Sequence, residues 1–247
     1  MAVSRTARPQ GPTLKRRAGV LLRLPAGILL VSWQYFWRVT ALHRSETRGD
    51  ASDLPPQLPA ELVDERSKLL HDGVGPMFHR RFRVRIHGSA MSPGELIHAV
   101  LANPNRAAPS VAVFHKTLGE DGMPCVGDEY RVQMPGPWDG PVRVVHRDAT
   151  SLRLHTLQGH LEAGQIQFAA RAADGSLEFE TEAWSRAGDR WADLLYSRLR
   201  VAKEIQFNMW VHFCLRAAAI AGGRVAGGVL IETRGIPEEL CRDSPGR

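Results

Sequence analysis

Residues 189–221 run for 33 positions without a proline or glycine, and no other feature restricts the possible folds of this chain as much. Trp191, Leu194, Leu195, Leu199, Ala202, Ile205, Met209, Phe213 and Ile220 recur at helical spacing within the run. Asp189 suits an N-cap, and Gly222-Gly223 suits a C-terminal stop. At about 1.5 Å per residue, such a helix is about 45–50 Å long. It must bury its apolar stripe against another layer of structure.

The residues before it supply that layer. From His79 the period is two: Phe82, Val84 and Ile86 alternate with Arg81, Arg83 and Arg85, the pattern of a strand with one buried face. Ser92-Pro93-Gly94-Glu95 then has the form of a helix start, with Ser92 as cap, Pro93 at the first position and Glu95 closing a capping box. Leu96, Ile97, Val100 and Leu101 continue that helix until Asn103-Pro104 stops it. Short strands are expected near 111–117, 126–134, 141–148, 151–158, 164–173 and 176–186.

Asp174-Gly175 is the sharpest turn signal and predicts a two-residue type I′ hairpin. The turn sets Ala172 against Leu177, Ala170 against Phe179 and Ile166 against Ala183. On the other face Arg171 meets Glu178 and Gln167 meets Glu182, so apolar pairs with apolar and polar with polar. Glu178, Glu180 and Glu182 also match the Arg81, Arg83 and Arg85 stripe in length. Antiparallel neighbours would pair the two stripes as a solvated charge ladder rather than a phosphate-binding face. The expected fold is α+β, a helix-grip: six or seven antiparallel strands wrapped round the long C-terminal helix.

Net charge is +6 over 247 residues, but residues 1–50 carry +7 and the remainder −1. A nearly neutral main domain argues against nucleic-acid binding, which usually needs a basic face on the folded module. Residues 1–17 read as a disordered basic tail and 18–45 as an apolar, aromatic helix. Arg23 and Pro25 interrupt that helix too early for a spanning segment. Trp33, Tyr35 and Trp37 suit either peripheral membrane contact through residues 18–38 or docking on the protein itself. The prolines of 46–69 read as a linker, 70–225 as the main domain and 226–247 as an extension. Cys125, Cys214 and Cys241 share no metal or redox spacing, which fits a reducing, cytoplasmic setting.

Three stretches carry a resemblance: VGDEYRVQMPGPWDGPVRV (126–144), GHLEAGQIQF (159–168) and EAWSRAGDRW (182–191). They resemble an uncharacterised actinobacterial family, domain of unknown function nineteen-ninety, over about residues 70–225. The order of elements resembles the START and birch-allergen superfamily, which includes polyketide cyclases. The resemblance implies a helix-grip fold with a cavity for an apolar small molecule or lipid. It implies no activity.

The candidate site residues follow from position. His160 and Glu162, between Gly159 and Gly164, are a base with an orienting carboxylate, or else a capped turn. Tyr130 offers a phenol to orient a ligand carbonyl. Trp138 sits in a Pro-rich hairpin loop, as a lid over the cavity or else as an aromatic anchor for the turn. His155 points into the cavity by strand parity, or is a satisfied core histidine. Phe168, Phe179, Met209 and Phe213 line the cavity. The histidines form no zinc spacing, and serine-elbow, phosphate-loop and dinucleotide motifs are lacking, so no metal or cofactor is expected. The leading expectation is a binding module. A cyclase- or hydrolase-type enzyme using His160, Glu162 or Tyr130 and a partner-docking protein with a filled cavity are the alternatives.

Overall fold

The computed structural model describes residues 42–109, 112–133, 140–188 and 201–242. The basic tail, nearly all of the expected 18–45 helix, Trp138 and the first part of the long helix lie outside the described residues. The strands are β1 (Leu42–Arg48), β2 (Val74–His87), β3 (Val113–Leu118), β4 (Glu129–Gln133), β5 (Gly140–Arg147), β6 (Ser151–Thr156), β7 (Glu162–Ala173), β8 (Ser176–Ala187) and β9 (Arg224–Ile236). The helices are α1 (Pro93–Ala102), α2 (Val201–Ile220) and α3 (Glu238–Arg242).

All nine strands form one sheet in the order β1-β9-β2-β8-β7-β6-β5-β4-β3. The seven from β2 to β8 follow the expected antiparallel plan. The strand count of six or seven was too low, because β9 returns after α2 to pair with the free edge of β2, and β1 adds in parallel outside it. Those two strands come from segments that read as an extension and as the join between helix and linker.

Local chemistry explains the elements that match. Ser92 Oγ accepts from the Glu95 amide, and the Ser92 amide donates to Glu95 Oε2 at 2.7 Å, so both cap bonds of α1 are made. Asp174 and Gly175 both adopt positive φ, 47° and 70°, as a type I′ turn requires. The hairpin then keeps the expected register, from Ala172 opposite Leu177 to Gln167 opposite Glu182. Beyond Ile220, Gly222 takes φ 68° and Gly223 lies so close to Ile86 and His87 that a side chain would clash.

The sheet has two faces of opposite character. The inner face, covered by α1 and α2, contributes Phe82, Val84, Phe168 and Phe179 to one core with Trp210, Phe213 and Cys214 of α2. Phe213 stacks on Phe168 and Phe179 at ring centroid distances of 4.8 and 6.1 Å. Burial pushes the Cys214 thiol up to about 12, although a bond with Thr181 pulls the other way, so it serves as a small core residue.

The outer face carries the charge ladder. Arg81, Arg83 and Arg85 lie opposite Glu182, Glu180 and Glu178, as the stripes predict. The ladder is not simply solvated, however: the Glu178 side chain is 6% exposed, whereas Arg85 and Arg171 beside it are 55% and 58% exposed. β8 lies inside the sheet, so the longer arginine stems of β2 and β7 cover the shorter glutamates. Glu232 of β9 extends the ladder by pairing with Arg83.

Residues 49–72 cross this outer face as a strap. The carbonyls of the segment accept from side chains of the sheet and its turns. Gln165 donates to Pro56 O at 2.9 Å, Arg143 to Leu62 O at 2.9 Å, Gln158 to Ser67 O at 3.2 Å and Arg186 to Leu70 O at 2.9 Å. At its start Asp53 accepts from His79 Nδ1 at 3.0 Å, and His79 Nε2 lies 2.7 Å from Glu182. Burial works against ionisation of Asp53, but bonds from the Asp50 amide and His79, with Arg234 nearby, hold its carboxyl below the usual range.

A truncation tests how much β9 contributes. Ending the chain after Gly223 bares the β2 edge and removes Glu232, Val229 and Ile231, the last two fully buried. The shortened chain is expected to lack a cooperative thermal transition by circular dichroism; a melt like that of the full chain would show β9 to be peripheral.

Candidate functional site

Among the described residues, two spaces open beneath the inner face. The larger, about 70 Å³, lies between β4–β8 and α2 and is lined by Val132, Leu154, Ile166, Phe168, Met209 and Trp210, with Thr156, His160, Glu162 and Ser185 as its polar fringe. The second, about 20 Å³, is lined by Tyr130, Pro124, Leu152 and Phe213, among others. Phe114, Leu154 and Phe168 belong to the walls of both and separate them.

This arrangement sorts the sequence-predicted residues. Phe168 and Met209 line the larger space, and Phe213 the smaller. Phe179 is fully buried behind Phe213 and lines neither. Trp138 lies outside the described residues.

His155 does not face the cavity. Leu152, Leu154 and Thr156 occupy the inner positions of β6, so alternation turns His155 outward, beneath the strap. Its Nδ1 lies 3.0 Å from Gly164 O, which only accepts, so Nδ1 carries the hydrogen and Nε2 is an acceptor. Burial lowers its pKa to about 4, with Arg143 adding to the effect and the Gly164 bond opposing it. His155 is a buried neutral ring in a row of outer-face residues, Arg143, His155, Gln165, Trp184 and His79, on neighbouring strands.

His160 and Glu162 both reach the cavity wall, and the Glu162 backbone contacts the His160 ring. The Glu162 amide donates to His160 Nδ1 at 3.0 Å, closing the turn after Leu157, and Lys68 Nζ donates to His160 O at 2.5 Å. The Glu162 carbonyl oxygen also lies 3.2 Å from the same Nδ1, so either neutral tautomer of His160 finds a partner in the turn. The ring also packs where a side chain on Gly140 would stand.

Tyr130 lines the other space. Its ring faces Lys116 Nζ at 5.5 Å, and Lys116 pairs with Asp128 at 2.7 Å. Burial raises the Tyr130 phenol above its usual range, while the Lys116 ammonium opposes this, so the phenol stays protonated at neutral pH. His160 and Tyr130 thus share a face of the sheet but not a cavity.

Sequence reading overlooked Ser185 and Trp210. Ser185 Oγ and Trp210 Nε1 are buried with no hydrogen-bond partner, and both residues line the larger space. The hairpin register already placed Ser185 on the inner face, two residues beyond Ala183, whereas Trp210 carried no separate signal within its helix. Among the described residues, no group of three or more His, Cys, Asp or Glu side chains is placed to hold a metal. No described helix is long and apolar enough to cross a membrane.

With this geometry in hand, one comparison decides the family. A family model described as domain of unknown function (DUF1990) matches residues 44–214. The chain belongs to that family. The match begins within β1 and ends within α2, so it takes in the strap, seven further strands and the cavity, and stops before β9. No curated protein matches. Among solved structures the chain is similar to Ara h 8.0201, at 13% identity and TM-score 0.41, covering 59% of this chain and 99% of that one. It is also similar to truncated norcoclaurine synthase from Thalictrum flavum, at 12% identity and TM-score 0.42, covering 64% and 97%. Similarity to the di-domain ARO/CYC StfQ from the steffimycin biosynthetic pathway, at 10% identity and TM-score 0.45, covers 60% of this chain and 51% of StfQ.

Proposed function

We propose that this protein of the DUF1990 family is a helix-grip binding module. It holds a small apolar molecule, or the apolar end of a lipid, between the inner face of the sheet and α2. One observation carries the reading: a space of about 70 Å³ lined mainly by apolar side chains between the sheet and α2. Protein interiors rarely keep voids larger than a water molecule. An apolar cavity that holds benzene is about twice the size of this space, so an aromatic guest requires Phe168 or Trp210 to swing aside.

Titration with benzene, ethylbenzene and naphthalene, followed by thermal melting and methyl NMR shifts, tests the reading. Saturable shifts confined to residues around Leu154, Ile166 and Met209 are expected, together with a rise in melting temperature. Ala183→Val, which adds two methyl groups to the wall, should weaken binding at least tenfold without lowering stability. Absence of any saturable response to all three probes would exclude a ligand site here.

The second reading is an enzyme of cyclase or hydrolase type using His160 and Glu162, favoured by their shared position on the cavity wall. With Nδ1 held by the Glu162 backbone, the base in that reading is Nε2 of His160. Tyr130 contributes less to that reading, because it lines the other space.

A further inference from the structure

The strap is fixed near its two ends by backbone bonds. The Gly49 amide donates to Gly235 O at 2.9 Å. Beyond residue 64, the Gln158 amide donates to Arg66 O at 2.7 Å and the Lys68 amide to Thr156 O at 3.0 Å. Between these anchors the described bonds to the sheet come from side chains. Asp53 accepts from His79 at 3.0 Å and from Arg234 at 3.2 Å, Gln165 donates to Pro56 O, and Arg143 holds both Leu62 O and Asp64. Asp53 is the one buried residue of 50–64, and Leu54 is half-buried against the cluster of Met77, Trp184 and Ile236. A stretch with so little buried apolar surface belongs to the parts of a protein that open locally while the rest stays folded.

Charge does the work that burial does not. Residues 50–64 carry four acids, Asp50, Asp53, Glu61 and Asp64, and no lysine or arginine, a net charge of −4. Arg143, Arg234 and His79 of the sheet answer them. His155 lies under the same stretch. Arg143 on β5 and Gln165 on β7 flank it in register, and both reach past it to the strap. Although it stands on the outer face, His155 is only 2% exposed. The charged groups that bear on it are Arg143 from β5 and Asp72 and Asp64 from the strap.

We propose that residues 50–64 are a flap that acid lifts from the outer face while the nine-stranded sheet stays folded. With the flap closed, His155 is a neutral ring shut in beside the Arg143 guanidinium. With it open, the ring meets water and regains its ordinary basicity. Opening therefore takes up a proton, and between about pH 6.5 and 4 each unit of acidification favours the open form by up to about tenfold. Lower still, Asp53 and Asp64 act in the same sense. Their carboxyls, held below the usual range, lose their charge there and release His79, Arg234 and Arg143. Opening bares Trp184, which stacks on His79 at a centroid distance of 5.2 Å, together with Arg143 and His155.

Methyl NMR of the full chain from about pH 6.5 to 3.5 tests this, with Leu54, Leu58 and Leu62 reporting on the flap and Val84 and Ile231 on the core. The three flap leucines are expected to move together towards coil shifts at a pH where Val84 and Ile231 keep their native ones. Two variants, each checked for a native circular dichroism spectrum at neutral pH, move that step in opposite directions. His155→Asn removes the proton uptake and should lower the step by about one pH unit. Asp53→Asn with Asp64→Asn weakens the closed form and should raise it, which keeps the test open if His155→Asn fails to fold. Flap leucines that hold their native shifts until the core loses its own overturn the proposal. A step that neither variant moves overturns it equally, since the flap would then open for reasons other than these charges.

Discussion

Replacing Arg143 by methionine is expected to lower the unfolding free energy by about 3 kcal/mol, the lower end of the range for breaking a buried ion pair. Arg143 is 7% exposed and holds three partners at once. Its Nη1 donates to Leu62 O at 2.9 Å, its Nη2 reaches Asp64 at 2.8 Å and Glu129 at 2.7 Å, and its Nε bonds Glu129 at 3.1 Å. The Asp64 bond leads the effects that raise the Arg143 pKa, while burial opposes it, and Asp64 is in turn held below its usual range by Arg143. Methionine keeps the apolar stem but strands the carboxylate of Glu129, which is only 3% exposed. Arg66, 2.5 Å from the other oxygen of Glu129, remains and keeps the loss from reaching the top of the range. Urea melts of Arg143→Met, Glu129→Gln and the double variant would form a cycle. The double variant should recover much of the loss. Simple additivity would mean that the two side chains do not act as a pair.

The second large effect is a stability change between about pH 6.5 and 4. His155 has a folded pKa of about 4 against an ordinary value near 6.5. Above about pH 6.5 the ring is neutral in both states and contributes no pH dependence. Between about 6.5 and 4 the unfolded chain takes up a proton that the folded protein refuses, so stability falls as the pH falls. A shift of this size amounts to about 3 kcal/mol across that window, after which His155 protonates in place and the loss stops. Asp64 and Asp53 act in a different range: their lowered values make stability fall below about pH 4. His155→Asn keeps a donor for Gly164 O and removes the titration. The variant is expected to be somewhat less stable at pH 7.5 but nearly flat from pH 6.5 to 4, and a wild-type slope in it would assign the effect elsewhere. The charged groups that bear on the ring are Arg143, Asp72 and Asp64, with Gln165 beside it in register on β7.

What the sequence displayed, and what it hid, follows from which interactions are local. The Asp174-Gly175 turn sets the β7–β8 register because only left-handed residues close a two-residue loop, and the pairing then propagates by alternation. The arginine and glutamate stripes identified β2 and β8 as neighbours although about a hundred residues separate them. β9 was overlooked because Gly227-Gly228 reads as a break. In the sheet the two glycines sit in a bulge, between Ala226 opposite Arg85 and Val229 opposite Val84. The alternation of Val229 and Ile231 against Leu230 and Glu232 was available beyond it. β1 had no such signal: six of its seven residues are exposed, and its pairing with β9 depends on a strand almost two hundred residues away. The face of His155 was legible from Leu152 and Leu154, and the expectation gave it the wrong parity. Ser185 and Trp210 escaped because a donor without an acceptor becomes visible only when every neighbour has been placed.

The position of β2 also sets the order in which the sheet can assemble. Both of its ladder partners, β8 and β9, begin about ninety and one hundred forty residues further along the chain. Contacts of such long range make folding slow. At roughly 5–20 residues per second, a ribosome leaves β2 waiting on the order of ten seconds with both edges bare. An unpaired strand of 14 residues invites pairing with other chains. Arg81, Arg83 and Arg85 place three like charges along one side of that strand, which repel an identical strand from a neighbouring nascent chain and await the glutamates of β8. The ladder that joins the finished sheet therefore acts earlier as a guard against premature association.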